Sequence, residues 1–153
     1  MPRARSSAVL NAPGTAVWAR LADLERWPRW LRVPYADTVV IVTGAAPLGD
    51  GTELTLQGKL PFRLFARIKE WEESRRLAFE IYRSEYPSDR FFFRRAVIAI
   101  DLATLDDNRT RVTCTHTVQG RGLLGRLYMA TVFRPFLIAS ARGFVQGLRS
   151  SVT

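Results

Sequence analysis

The chain is poor in the side chains that carry most recognisable chemistry. It has one cysteine, Cys114, and one histidine, His116. A lone thiol allows no intrachain disulfide and no thiolate metal cluster. A lone imidazole rules out a histidine-rich metal site. The single cysteine fits a reducing, cytoplasmic setting. Lysine is scarce: Lys59 and Lys69 are the only two among 23 basic residues, and the rest are arginine. With 14 acidic residues the net charge is +9. No uninterrupted apolar run reaches the ~18 residues of a membrane-spanning helix; the nearest, 127–141, is broken by Arg134 and Pro135. The N-terminal charge is not followed by the apolar core of a signal peptide. No catalytic-triad order, zinc-protease pair or phosphate-binding loop occurs. GRGLLG at 120–125 lacks the spacing and the βαβ context of a dinucleotide loop, although a helix N-terminus there would favour an anion.

What is present reads as one domain over residues 1–153, with 47% hydrophobic residues and length enough for a core. The arginine excess reflects either a codon bias or an acidic partner: an anionic ligand, an acidic carrier protein, a membrane surface or nucleic acid. Nucleic acid is not expected, because the arginines form neither a basic arm nor a recognition helix.

A strand over 7–11 leads into a helix that starts near Pro13–Gly14 and carries Val17, Trp18 and Leu21. Pro28 ends or kinks this pattern near Trp27. Strands follow over 35–43, 52–58, 62–71, 76–84, 91–105 and 109–119, separated by turn-rich segments. The chain closes with one apolar helix over 122–151, bent at Pro135.

Period-two alternation assigns faces. The threonine row 113, 115 and 117 suits a solvated outer face, so Val112, Cys114, His116 and Val118 point inward. Centring the hairpin turns pairs Leu102 with Val112, Ile98 with His116, Arg83 with Phe92 and Ile81 with Arg94. The shared inner face is apolar except for Arg83, Arg94 and His116. Asp101 and Glu80 fall outside, and Glu70 lies beside a turn. A greasy helix across a concave sheet roofs a cavity.

These elements resemble the START-like helix-grip superfamily (Bet v 1-like), in its polyketide cyclase/dehydrase-like branch. The resemblance rests on VLNAPGTAVWARLADLERWPRW (9–30), IKEWEESRRLAFE (68–80), NRTRVTCT (108–115) and the closing helix 122–151. It implies an α+β helix-grip fold: a seven-stranded antiparallel sheet wrapped around a long C-terminal helix, with two short helices near the N-terminus. It also implies a tunnel for an apolar ligand. Cyclases of this superfamily act on poly-β-ketone chains held by an acyl carrier protein and need neither metal nor organic cofactor. Aromatic cyclases often carry a histidine after the tryptophan pair. Here LRVPYAD (31–37) has none.

Candidate catalytic residues are His116, as acid or base, and Arg94 and Arg83. The arginines either bind a carboxylate or polarise a ketone, or reach water from an open rim. Candidate ligand-binding residues are Trp27, Trp30, Tyr35, Phe79, Ile81, Phe92, Ile98 and Tyr128, each with core packing as its alternative. The functional expectation is an apolar small-molecule binder acting as a cyclase-like enzyme of specialised metabolism. The alternatives are a non-catalytic carrier or sensor of a lipid-like ligand, or a membrane-associated accessory protein.

Overall fold

The computed structural model describes residues 2–44 and 47–152. Strand β1 (Arg3–Leu10) precedes helix α1 (Gly14–Ala22) and a 3-10 helix (Leu24–Arg29). Strands β2 (Val39–Thr43), β3 (Glu53–Gln57), β4 (Arg63–Glu72) and β5 (Arg76–Ser84) follow. A four-residue helix, α2 (Asp89–Phe92), leads into β6 (Phe93–Asp106), β7 (Arg109–Gly120), α3 (Gly122–Ala130) and α4 (Arg134–Val152).

All seven strands form one antiparallel sheet in the order β1-β7-β6-β5-β4-β3-β2. This is the expected helix-grip arrangement. The expected pairs Ile98–His116 and Leu102–Val112 are formed. Ala66 and Ile68 of β4, Leu77, Phe79 and Ile81 of β5, Ile98 and Ile100 of β6, and Val112, Cys114, His116 and Val118 of β7 are all buried. Helix α4 lies on β1 and β7 and buries Leu137, Ala141, Phe144, Val145 and Leu148. The threonine row is not uniformly wet, because Thr113 is buried and shares a 3.1 Å hydrogen bond with Ser7 of β1.

Two expectations about faces fail, each through an extra residue in a strand. On β5, Ala66 opposes Ile81 but Phe65 opposes Arg83, so Tyr82 is a bulge. A bulge breaks the alternation that would have kept Arg83 on the inner face with Ile81. Arg83 is exposed, with its guanidinium 4.7 Å from the Phe65 ring centre. On β6, Phe93 opposes Gly120 and Arg95 opposes Gln119, so Arg94 is the unpaired residue. Phe93 takes the inner position, Arg94 and Arg95 are both exposed, and Ile81 meets Ala96 rather than Arg94. The expected Arg83–Phe92 pair is likewise absent, because Phe92 belongs to α2.

The C-terminal helix is two helices bent by 57°. Pro135 sits in the first turn of α4, where a missing N–H is tolerated; further inside a continuous helix it would leave a carbonyl unpaired. The chain therefore breaks at 131–133. Thr131 Oγ1 donates to the Leu127 carbonyl at 2.7 Å, which satisfies the end of α3. Among the described residues no single helix is long and apolar enough to cross a membrane.

Candidate functional site

The inner face of the sheet does not meet the helices everywhere. A cavity of about 360 Å³ opens where β3–β7, the segment 34–38 and the start of α4 diverge. Its apolar wall comes from Leu56, Leu64, Ile81, Phe93, Ala96, Phe133 and Phe136. Such a volume is at the low end of small-molecule sites.

Polar groups enter this wall from three elements. Strand β7 presents His116, which is buried to 1% exposure. Its Nδ1 lies 2.8 Å from the hydroxyl of Ser140 on the buried stripe of α4. The Ser140 side chain is also close enough to the Tyr35 phenol to lower its pKa, against a larger rise from burial. Histidine and tyrosine of the cavity wall thus flank the buried Ser140 hydroxyl, which bonds the first and neighbours the second. Burial drives the His116 pKa down to about 3, so the imidazole is neutral at physiological pH. Burial pushes the Tyr35 phenol well above its ordinary range, so it is a neutral donor and acceptor. The hydrogen bond between His116 and Ser140 can run in either direction, and the direction fixes the histidine tautomer. Either way Nδ1 is engaged, and Nε2 is the ring nitrogen with no hydrogen bond among the described residues.

A second polar group lies at the end of the cavity formed by Tyr86, Ser88 and Asp89. The Ser84 hydroxyl donates to Asp89. Burial nevertheless raises the pKa of this carboxyl, with the hydrogen bond opposing the shift. Lys59 lines the opposite rim and pairs with Asp37 at 3.1 Å. The Cys114 thiol is raised to about 12 by burial, which makes it a packing group rather than a nucleophile. No set of three or more metal-ligating side chains exists among the described residues.

Of the residues expected from sequence, the cavity brings together His116, Tyr35 and Ile81. Arg83 and Arg94 do not join them; they line a separate surface cleft with Arg90 and Arg121. Phe92 and Tyr128 are also displaced, stacked on each other at 4.3 Å between α2 and α3. Trp27, Trp30 and Phe79 form an aromatic core with Phe144, at centroid distances of 5.5–6.2 Å. Trp27, Phe79 and Ile98 surround only a void of about 10 Å³, too small for a guest. The reason is mechanical: the 3-10 helix lays both tryptophans under α4, and Trp27 Nε1 is fixed on the Leu21 carbonyl at 2.9 Å.

Sequence reasoning missed Ser140 and Asp89. Ser140 had a signal, because it is a hydroxyl on the apolar stripe 137, 141, 144 and 148. Asp89 had none, being one acid in a turn. Phe93 was missed because the bulge at Arg94 is invisible to alternation.

The whole fold has solved counterparts. The Zhui aromatase/cyclase from Streptomyces sp. R1128 superposes with a TM-score of 0.72 at 15% identity, covering 99% of this chain and 93% of that chain. A START superfamily protein from Mycobacterium smegmatis gives 0.69 at 11% identity, covering 99% of each chain. The di-domain aromatase/cyclase StfQ of steffimycin biosynthesis gives 0.73 at 10% identity, covering 98% of this chain and 50% of that chain. At these identities the likeness is one of fold. No curated protein matches the chain at a significant level. The model of the family described as polyketide cyclase / dehydrase and lipid transport matches residues 1–153, and the chain belongs to that family.

Proposed function

We propose that the cavity binds a small, mostly apolar ketone and promotes its enolisation, as a cyclase-like enzyme without a resident cofactor. The observation that carries this reading is the buried His116–Ser140 hydrogen bond, with the Tyr35 phenol beside it, at a hollow with a largely apolar wall.

An imidazolium in this site is disfavoured by several kcal/mol, at roughly 1.4 kcal/mol for each pKa unit. A mechanism that creates one is correspondingly slow. A linear proton chain through Ser140 and Tyr35 avoids it. Nε2 of His116 takes the proton from the carbon next to a ketone. The Nδ1 proton passes to Ser140, the Ser140 proton to Tyr35, and the Tyr35 proton to the ketone oxygen. One C–H bond breaks, one O–H bond forms, and no net charge appears. The resulting enol carbon attacks a second carbonyl of the folded substrate, its O–H proton passing to that carbonyl's oxygen as the C–C bond forms and the first ketone is restored; otherwise it reprotonates as the chain runs backwards. Holding a flexible substrate in one fold contributes further, since orientation alone is worth several kcal/mol.

The test is deuterium uptake at the methylene of benzoylacetone in D2O, followed by NMR with protein present. Ser140→Ala and Tyr35→Phe should each slow the catalysed exchange by about 10²-fold while leaving probe binding intact. Unchanged rates with the probe bound would remove the catalytic role. The second reading, a carrier of a lipid-like guest, would then stand on the apolar wall alone.

A further inference from the structure

Helix α3 is built inside out. It buries Gly125 and Met129 while Leu123, Leu124 and Leu127 face solvent. Val132, just past its end, and Phe91 of the adjoining α2 are exposed as well; these five side chains are 60–83% exposed. The arrangement is held firmly. A Cβ on Gly125 would come within 2.7 Å of the Phe92 carbonyl, the Arg121 amide donates to that carbonyl at 2.8 Å, and Tyr128 stacks on Phe92. Nothing in this packing can rotate the leucines inward.

Charge surrounds this ledge. Phe91 shares a surface cleft with Arg83, Arg90, Arg94 and Arg121, and Arg126 projects from α3. Arg90, Arg94, Arg121 and Arg126 have no carboxylate partner among the described residues. The acids of the cleft, Glu85 and Asp89, are held by Arg63 and Ser84. From residue 108 to the end the chain has seven arginines and not one aspartate or glutamate. The ledge also adjoins the cavity. Ser88 and Asp89 at the start of α2, and Phe133 directly after Val132, line the hollow.

From this juxtaposition we infer that α3 and Phe91 dock on an anionic membrane surface, the leucines entering the acyl boundary and the arginines meeting lipid phosphates. Convex apolar side chains framed by cationic ones are the pattern of an interfacial helix. A second copy of the chain is disfavoured, since it would bring the same unpaired arginines face to face. An acidic protein would meet the arginines, whereas the protruding leucines call in addition for an apolar phase. The cavity mouth would then face the bilayer, giving an apolar guest a dry route in.

The test is co-sedimentation of the full chain with vesicles of phosphatidylcholine alone and with 30% phosphatidylglycerol, roughly, at low and high salt. The expected result is at least tenfold tighter binding to the anionic vesicles, weakened severalfold by salt. Leu124→Glu with Leu127→Glu should cut that binding tenfold or more with an unchanged circular dichroism spectrum. Arg111→Glu, at the far end of β7, should leave it nearly intact. Absence of binding to anionic vesicles overturns the inference, as does equal binding by the double variant. A dimer in sedimentation velocity that the double variant dissolves would assign the ledge to self-association instead.

Discussion

A neutral histidine sealed inside an apolar wall must stay neutral for the fold to survive. Unfolded, His116 takes up its proton near its ordinary value of 6.5; folded, it resists down to about 3. Between those values the unfolded chain binds a proton that the folded chain does not. Stability therefore falls as pH drops through that window, and this residue has no effect above it. Urea denaturation at successive pH values should show the native chain losing up to about 1.4 kcal/mol per pH unit more than His116→Asn, which keeps a polar partner for Ser140. Parallel curves would contradict the burial assigned to the imidazole. The tryptophan pair gives a second test at this scale. Trp27 Nε1 donates to the Leu21 carbonyl, whereas Trp30 Nε1 is buried with no partner among the described residues. Trp27→Phe orphans a carbonyl and Trp30→Phe removes an orphaned donor, so the first should cost about 1–2 kcal/mol more in chemical denaturation. Both tryptophans were legible as a pair on one helix face. Their service in the core rather than at the cavity was not, because sequence spacing does not say which side of α4 they lie under.

Between elements, α4 presses closely on the segment after the 3-10 helix. A Cβ at Gly147 would lie 2.2 Å from the Trp30 carbonyl oxygen, and one at Gly143 would lie 2.9 Å from the Val33 carbonyl oxygen. Backbone cannot yield as a side-chain tip does. Gly147→Ala should therefore destabilise by roughly 2–3 kcal/mol, and Gly143→Ala by less, as read from thermal melts. The reverse order would mean that α4 does not press on Trp30 as described. The strands, their order of appearance and most of their inward faces could be read from alternation, because a sheet with one buried face imposes a period of two. What could not be read were the bulges, among them those at Tyr82 and Arg94, where one added residue each turned an expected inner arginine outward. The split of the last helix was half legible. Pro135 announced a bend, but the exposure of Leu123, Leu124 and Leu127 contradicts the usual meaning of an apolar run.

At the scale of the molecule, the sheet, α4 and the 34–38 segment leave a hollow that β-branched and aromatic walls do not fill. Ala96 lies on that wall directly opposite Ile81. Ala96→Phe should occupy much of the space, reduce binding of benzoylacetone by tenfold or more, and leave the fold intact by circular dichroism. Full binding by this variant would place the guest elsewhere. The separation of charge is also a whole-molecule property. The sheet's outer face pairs arginines with Glu53, Glu85 and Asp101 and Lys69 with Glu80, while the arginines of α2 and α3 have no acid partner among the described residues. Composition revealed the excess of arginine, but only the fold shows where it is uncompensated.

Because the chain has a single histidine, labelling that residue with nitrogen-15 isolates the site in two NMR signals. The account predicts one neutral tautomer from pH 8 to 5, and a shift of Nε2 much larger than that of Nδ1 when benzoylacetone is added. Titration of both nitrogens near pH 6.5, with Nε2 unmoved at saturating probe, would contradict a sealed imidazole offering one free nitrogen to a guest.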